Sequence, residues 1–389
     1  MTEAVYFDNN GTTALDSRVL EAMLPYMTAQ PGNATSRHVF GRTARQAIER
    51  AREQVADATG AHPSQVIFTG SGTESDNMAI YGITAKNGHQ KIAISAIEHP
   101  AVTRAAQALK PAGVKTEIIA VDANGFVEQS ALKELLAKNN NKSTDAIGLV
   151  SVMLANNETG VIQDIAKLAE VAKSQKVFIH TDAVQALGKM KVDFADLNVH
   201  AMSVSSHKIN GPQGAGALIL DKRVDIQPLL YGGGQEKGLR SGSENLAAIV
   251  GFGAACELVS RELIQRVGNV RQLRDRLETG LNQLGAVIFS NQAERLANTS
   301  FFAFPNIEGE TLVMALDRKG FAVASGSACS SDSTEPSHVL LAMGVDEDLA
   351  RGSVRVSLAN NNTSQQIEDF LLVLENELSR LRRLTAIAV

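Results

Sequence analysis

The sequence predicts an α/β protein, with a large domain built on a mainly parallel sheet and a smaller α+β domain after it. Three observations carry that reading. Short apolar, β-rich runs alternate with helical periodicity through the first two thirds of the chain. Such alternation implies right-handed crossovers and a sheet covered on both faces. Near residue 260 the pattern gives way to a long charged helical stretch with fewer strands. The length of 389 residues accommodates two domains.

The first helix stripe is Ala44, Ala47, Ile48, Ala51, Val55 and Ala58, stepping by three and four, with Gly60 and Pro63 as its stop. Strand-like runs follow at 65–69, 91–96, 116–121, 147–154, 176–181, 201–206 and 216–220. Helical segments at 74–86, 101–110, 129–138 and 164–175 lie between most of them. Beyond 260 come a charged helix over 261–284 and strands "NTSFFAF", "FAVAS" and "SVRVSL". A last amphipathic helix carries Ile367, Phe370, Leu371, Leu374, Leu378 and Leu381 on one stripe. Its basic run at 380–383 reads as a last turn that complements the helix dipole.

Composition bounds the function. With 37 Lys and Arg against 42 Asp and Glu, the net charge is −5 and no basic run stands out to neutralise phosphates. That argues against a nucleic-acid partner. The first residues lack a basic start and an apolar stretch, and no run is long and apolar enough to span a bilayer. Two cysteines make no disulfide framework, so the expected setting is a reducing cytoplasm without a membrane anchor. Cys256 falls in a helical stretch beside Ala247, Val250 and Ala254 and reads as a packing residue. Cys329 differs, because its neighbours Gly326, Ser327, Ala328, Ser330 and Ser331 cannot bury it.

Chemistry concentrates at strand ends, where open parallel sheets bind ligands. "GSGTESDN" follows the first run, "IEHP" the second, "ANNETG" the fourth, "DAVQA" the fifth and "HKINGPQG" the sixth. These bring His99, Asn156, Asp182, His207 and Lys208 to one edge. The Gly-Ser-Gly turn opening a helix at Thr73 offers backbone N–H groups to a phosphate, without the Gly-Lys-Ser/Thr of a Walker loop. A lysine directly after a buried strand, such as Lys208, is oddly placed for a solvated charge and suits Schiff-base chemistry. Asp182 would then serve as the acidic partner of a pyridinium nitrogen. His180 with Asp182 also reads as a metal pair, but no Cys-x-x-Cys or His-Glu-x-x-His completes such a site.

The stretches "YFDNNGTT", "GSGTESDNMAI", "IEHPAV", "SVMLANNETG", "HTDAVQALGK", "SSHKINGPQG", "GGGQEKGLRSGSEN" and "SGSACSS" run in order across nearly the whole chain. Together they resemble the NifS/IscS-type cysteine desulfurases. These are class V, pyridoxal phosphate-dependent enzymes of the aspartate-aminotransferase fold (fold type I). The resemblance implies a large cofactor-binding domain over 16–260. It also implies a small domain formed by 1–15 with 261–389, carrying the cysteine loop. It makes Lys208 the Schiff-base lysine, His99 a ring-stacking proton carrier, Asp182 the partner of the ring nitrogen and Gln185 that of the ring hydroxyl. Gly72, Thr73, Ser205 and His207 would hold the phosphate, joined by Ser243 from the second subunit of a homodimer. Asn156 would contact the cofactor and, with Arg355 and Asn33, the substrate carboxylate. Four positions depart from the usual motifs: Gly11 replaces a commoner Ala, "NATS" replaces Asn-Pro-Ser-Ser at 33–36, Gln213 replaces Lys and Ser243 replaces Thr.

What the resemblance implies for the loop thiol is sulfur transfer. L-Cysteine would become L-alanine while Cys329 takes the sulfur as a persulfide and hands it to an acceptor protein. A free thiol titrates near ~8.5, so His99 or the cations of the site would favour the thiolate. Small neighbours give that nucleophile freedom to travel. An aminotransferase, a selenocysteine or other C–S lyase, and a non-catalytic sulfur-assembly scaffold remain as rival expectations.

Overall fold

A computed structural model of the chain describes residues 4–138, 146–326 and 335–387. In chain order its strands are β1 (Val5–Tyr6), β2 (Val66–Thr69), β3 (Lys91–Ser95), β4 (Lys115–Ile119) and β5 (Ile147–Ser151). Then come β6 (Phe178–Asp182), β7 (Ala201–Ser205), β8 (Gly216–Leu220), β9 (Val287–Ile288), β10 (Thr299–Ala303), β11 (Phe321–Ala322), β12 (Ala324–Ser325) and β13 (Ser353–Ser357).

Seven strands form one sheet in the order β2-β8-β7-β6-β5-β3-β4, in which β8 alone runs against its neighbours. The β5, β7 and β8 runs are buried at every residue, as strands covered on both faces require. The 147–154 run is strand only as far as Ser151. Past that point Met153 N–H donates to the Glu98 carboxylate at 2.8 Å, while Val152 and Leu154 N–H still donate to the His180 and Asp182 carbonyls before the chain turns.

The helix Val39–Thr59 buries Ala44, Ala47, Ile48, Ala51 and Val55 and stops before Gly60, as its periodicity predicts. It packs against a helix of 38 residues, Leu246–Gln283. That long helix corrects the expectation of a separate helix beginning at 261. It has no proline, and its only mid-helix glycine beyond 260 before Gly280, Gly268, faces open space, so nothing local breaks it. Its first half, including Cys256, joins the apolar cluster under the large sheet; Val270, Leu273, Leu277 and Leu281 join a second cluster.

The second cluster lies against the four-stranded antiparallel sheet β12-β13-β10-β9. Phe302, Phe304 and Phe370 are buried there, and Ile367, Leu374, Leu378 and Leu381 of the final helix complete it. That helix continues to Ile387, so the basic run at 380–383 is not its last turn; Arg380 instead pairs with Glu377 at 2.7 Å. Phe7 is fully buried among Phe321 and Phe370, and β1 pairs in parallel with β11. The N-terminal segment is therefore held by the second cluster just before it crosses to the large sheet. No helix among the described residues is long and apolar enough to cross a membrane.

Candidate active site

The carboxyl ends of β2, β3, β5, β6 and β7 open on a cavity of about 220 Å³. Its wall includes Gly72, Thr73, His99, Asp182, Gln185, Ser205, His207 and Lys208. Most of the residues expected to act together from their strand-end positions are thus brought together by the parallel topology.

One part of the wall suits an anion. Ser71 caps the helix Gly72–Asn87, its side chain accepting from Glu74 N–H at 3.1 Å, so Gly72 and Thr73 stand in the first turn. The first N–H groups of a helix have no partner within it and attract negative charge. A Cβ at Gly72 would lie 2.7 Å from Val184 Cγ2 and 3.3 Å from Ser205 Cβ, so only glycine allows this close approach. The buried Ser205 hydroxyl has no hydrogen-bond partner among the described residues, which the oxygen of a phosphate would supply. His207 accompanies it, with Nδ1 at 3.0 Å from the Thr12 hydroxyl; burial and the charge of Lys208 hold its pKa down to about 4.

Acids line the floor. Asp182 is buried, with Oδ1 accepting from Val184 N–H at 2.9 Å. Burial raises its pKa above the ordinary carboxyl range, opposed by that N–H and by Lys208. Beneath it, Asp76 is raised strongly by burial and by the nearness of Asp182, and its Oδ1 lies 3.6 Å from His180 Nε2. Burial keeps His180 neutral, pushed down to about 3, between the hydroxyls of Ser151 at 2.9 Å and Ser203 at 3.0 Å. A pyridinium N–H offered to Asp182 would favour its ionised form. The Ser205 hydroxyl, the close approach at Gly72 and this carboxylate fit pyridoxal phosphate.

His99 is placed by local sequence. Pro100 occupies the first position of the helix Pro100–Ala108 and has no N–H, so the His99 cap is directed to Ala101 N–H, which donates to Nδ1 at 3.1 Å. Burial first, then the charge of Lys208, hold this imidazole down to about 4. It is neutral near pH 7, and with Nδ1 an acceptor its proton sits on Nε2.

Lys208 follows β7 in a short turn, Ser206–Lys208. Its Nζ donates to the carbonyls of Asn10 and Gly11, both at 2.6 Å. Asn10 is a junction that the strand-end reading missed. Its carbonyl also accepts from Gln185 Nε2 at 3.0 Å, and its Oδ1 accepts from Lys189 Nζ at 2.8 Å. Its amide donates to the Asn157 carbonyl and the Thr299 hydroxyl. Lys189 further donates to Gln185 Oε1 at 2.5 Å, which fixes the amide so that Nε2 is its donor side. Burial first, then Lys208 and Arg355, press the Lys189 amine well below the usual lysine range. The signal for Asn10 lay in "DNNG", three turn-forming residues and a glycine directly after the apolar Phe7. It sits too far from the strands in sequence for its placement to be read.

Other expected residues stand elsewhere. Asn156 is fully buried but does not line the cavity. Its Nδ2 donates to Ile97 O at 3.1 Å, and its Oδ1 accepts from the N–H groups of Glu158 and Thr159, both at 2.9 Å. Asn157 is on the cavity wall instead, because the turn's hydrogen bonds consume the first amide. Asn33 is exposed, its Oδ1 accepting from Thr35, and Ser243 is exposed; neither lines the cavity of its own chain. Arg355 is 6% exposed and bound to Asp8 at 2.6 Å and to the Asn157 carbonyl at 3.1 Å, one residue from the cavity wall. Cys329 lies outside the described residues.

Comparison with known proteins agrees with this geometry. The Aminotransferase class-V family profile matches residues 5–370. A cysteine desulfurase IscS of Methanosarcina thermophila is 42% identical over 386 residues, covering 98% of this chain and 94% of the relative. A solved NifS-like protein superposes with a TM-score of 0.89 at 38% identity, over 97% of this chain and 99% of that one. A structure described as SspA in complex with cysteine superposes with a TM-score of 0.80 at 31% identity, over 92% and 99% of the two chains. The fold is that of pyridoxal phosphate enzymes of fold type I, and the chain belongs to the class-V aminotransferase family, among its pyridoxal phosphate-dependent cysteine desulfurases of the NifS/IscS type.

Proposed function

We propose that this chain converts L-cysteine to L-alanine, takes the sulfur on Cys329 as a persulfide and delivers it to an acceptor protein. Iron–sulfur cluster assembly or another sulfur-compound biosynthesis would be the destination. The substrate C–S bond breaks, an S–S bond forms at Cys329, and the carbon that loses sulfur takes up a proton. The observation that carries the reading is the convergence of Lys208, Asp182, His99 and Ser205 on one cavity at the carboxyl edge of a parallel sheet.

Lys208 would carry the cofactor aldehyde, with Asp182 at the ring nitrogen, Gln185 at the ring hydroxyl and Gly72, Thr73, Ser205 and His207 around the phosphate. When bound, pyridoxal phosphate supplies an aldehyde that joins amines covalently and a ring that accepts electrons from the substrate. Lys208 Nζ, once exchanged for the substrate amine, takes the Cα proton. The carbonyls of Asn10 and Gly11, 2.6 Å away, keep that amine at the cavity edge. His99 holds its proton on Nε2 and delivers it to the reacting substrate. Arg355 binds the substrate carboxylate, for which its planar fork suits better than an ammonium. Its contact with the Asn157 carbonyl links it to the cavity wall.

We place Ser243 in the site of a second copy, and keep Asn33 for the substrate carboxylate. Both are exposed, as are the apolar residues Leu20, Leu24, Met27, Val39 and Phe40 on either side of Asn33 in sequence, which a homodimer would cover. The proposed division into 16–260 and 1–15 with 261–389 is supported by the separation of the seven-stranded sheet from the four-stranded one, each with its own large apolar cluster.

The test incubates purified, cofactor-loaded protein with L-cysteine and a reducing thiol, following alanine and sulfide. Equal yields of both are expected, with both lost in Cys329→Ala. Full-rate alanine and sulfide from that variant would rule out the persulfide route. Borohydride reduction followed by peptide mapping should find the cofactor on Lys208.

A further inference from the structure

Arg355 lies in β13 opposite Phe301 and Ala324, with its side chain 7% exposed. A buried guanidinium needs both hydrogen bonds and a compensating charge. One terminal nitrogen donates to the Asn157 carbonyl at 3.1 Å and the other to Asp8 Oδ1 at 2.6 Å, while Nε has no partner among the described residues. The Asp8 side chain is 28% exposed. The pair is thus asymmetric: the acid can turn to water cheaply, and the arginine cannot. The Asp8 backbone itself is held, bridging Ser357 two residues past Arg355. Only its carboxylate is at liberty to leave.

Gly11 sets where that carboxylate rests. Its N–H closes the turn on the Asp8 carbonyl at 2.9 Å. A Cβ at position 11 would run into Asp8 Oδ2 and lie 3.0 Å from Asp8 Cγ. Gly11 is not in the left-handed region, so its backbone accepts alanine; the end of the Asp8 side chain must yield most, and the Asp8 carbonyl, 3.2 Å from such a Cβ, only slightly.

We propose that Asp8 competes with the substrate carboxylate for Arg355, and that the glycine at 11 keeps this competitor seated. The proposal rests on the reading of Arg355 as the carboxylate-binding residue. A ligand that brings only a carboxylate exchanges one anion for another and gains little. An amino acid also held through its amine can displace Asp8. The pair therefore discriminates amino acids from simple carboxylates of the same size.

The test compares parent, Asp8→Asn, Gly11→Ala and Arg355→Ala as cofactor-loaded proteins. KM and kcat for L-cysteine are measured, together with propionate binding by titration calorimetry. Asparagine keeps an oxygen for the guanidinium and removes the charge. Asp8→Asn should lower KM roughly three- to tenfold and tighten propionate binding at least as much. Gly11→Ala should shift both the same way by a smaller factor. It also decides the matter if Asp8→Asn does not fold. An unchanged or raised KM in Asp8→Asn, with propionate no tighter, overturns the competition and leaves Asp8 as a residue that merely orients Arg355. Arg355→Ala separates the premise: it should raise KM at least about tenfold. If it does not, the carboxylate role of Arg355 is what fails.

Discussion

The floor of the cavity and the aromatic cluster beside β10 are equally buried and made of opposite materials. Under the cavity lie Asp76, Glu98, His180 and Asp182, each 5% exposed or less. In the second cluster lie Phe7, Phe302, Phe304, Phe370, Leu374 and Val356. Phe302 and Phe304 meet edge to face at 5.9 Å, and every contact there adds to stability. Asp76 Oδ1, Glu98 Oε2 and Ser205 Oγ, by contrast, make no hydrogen bond among the described residues. A chain selected for stability alone would not bury them so. The difference separates the part of the molecule that holds the fold together from the part that gives up stability to prepare a site.

The largest effect should come from Lys208→Ala, with a loss of alanine formation on the order of 10⁴-fold and little change in the melting temperature of the cofactor-free protein. A parallel fall in melting temperature would blur the contrast between site and core. Phe302→Ala should do the reverse. It is expected to cost about 3–5 kcal/mol, read as an early thermal transition, while turnover per folded molecule is kept. Asp182→Asn tests whether site and stability oppose each other at one residue. Alanine formation should fall about 10²-fold, and the cofactor-free protein should melt higher, because a buried ionisable group is gone. A lower melting temperature would make Asp182 a structural residue first.

The smallest effect is a pH dependence. Burial pushes the Glu98 carboxyl up to about 8 from 4.5, against the pull of the Ser95 hydroxyl and the Met153 N–H. A raised folded value favours folding fully below about 4.5, and that contribution is lost as pH rises to about 8. Glu98→Gln keeps both hydrogen bonds and removes the titration. Its melting temperature relative to the parent should therefore climb between pH 5 and pH 8, measured without cofactor. A difference that stays level across that range would mean Glu98 ionises as it does in water.

Much of this was legible in one dimension. Strand ends bearing His99, Asp182, His207 and Lys208 could be found because parallel crossovers return every strand to the same edge. Periodicity located the helix Val39–Thr59 and the stripe of the final helix. It did not show that residues 246–283 are one helix, because a change of core leaves no break in a continuous helix. The sequence reading named Asn156 where the cavity wall holds Asn157, since which amide a turn consumes depends on hydrogen bonds across it. The residues alone favoured an ion pair at a strand edge for Arg355, and the family resemblance made it a substrate anchor. Both readings meet at Asp8, a contact separated by 347 positions.

By itself the sequence determined the alternating α/β architecture, the chemistry at the strand ends and the motifs that mark the family. These are local properties, set by side-chain periodicity and by the turn residues between elements. Only the tertiary structure decided that the N-terminal turn at Asp8–Gly11 holds both Lys208 and Arg355, and that acids gather beneath Asp182. Those facts belong to the packing of distant segments, where burial and neighbouring charge set what each group can do.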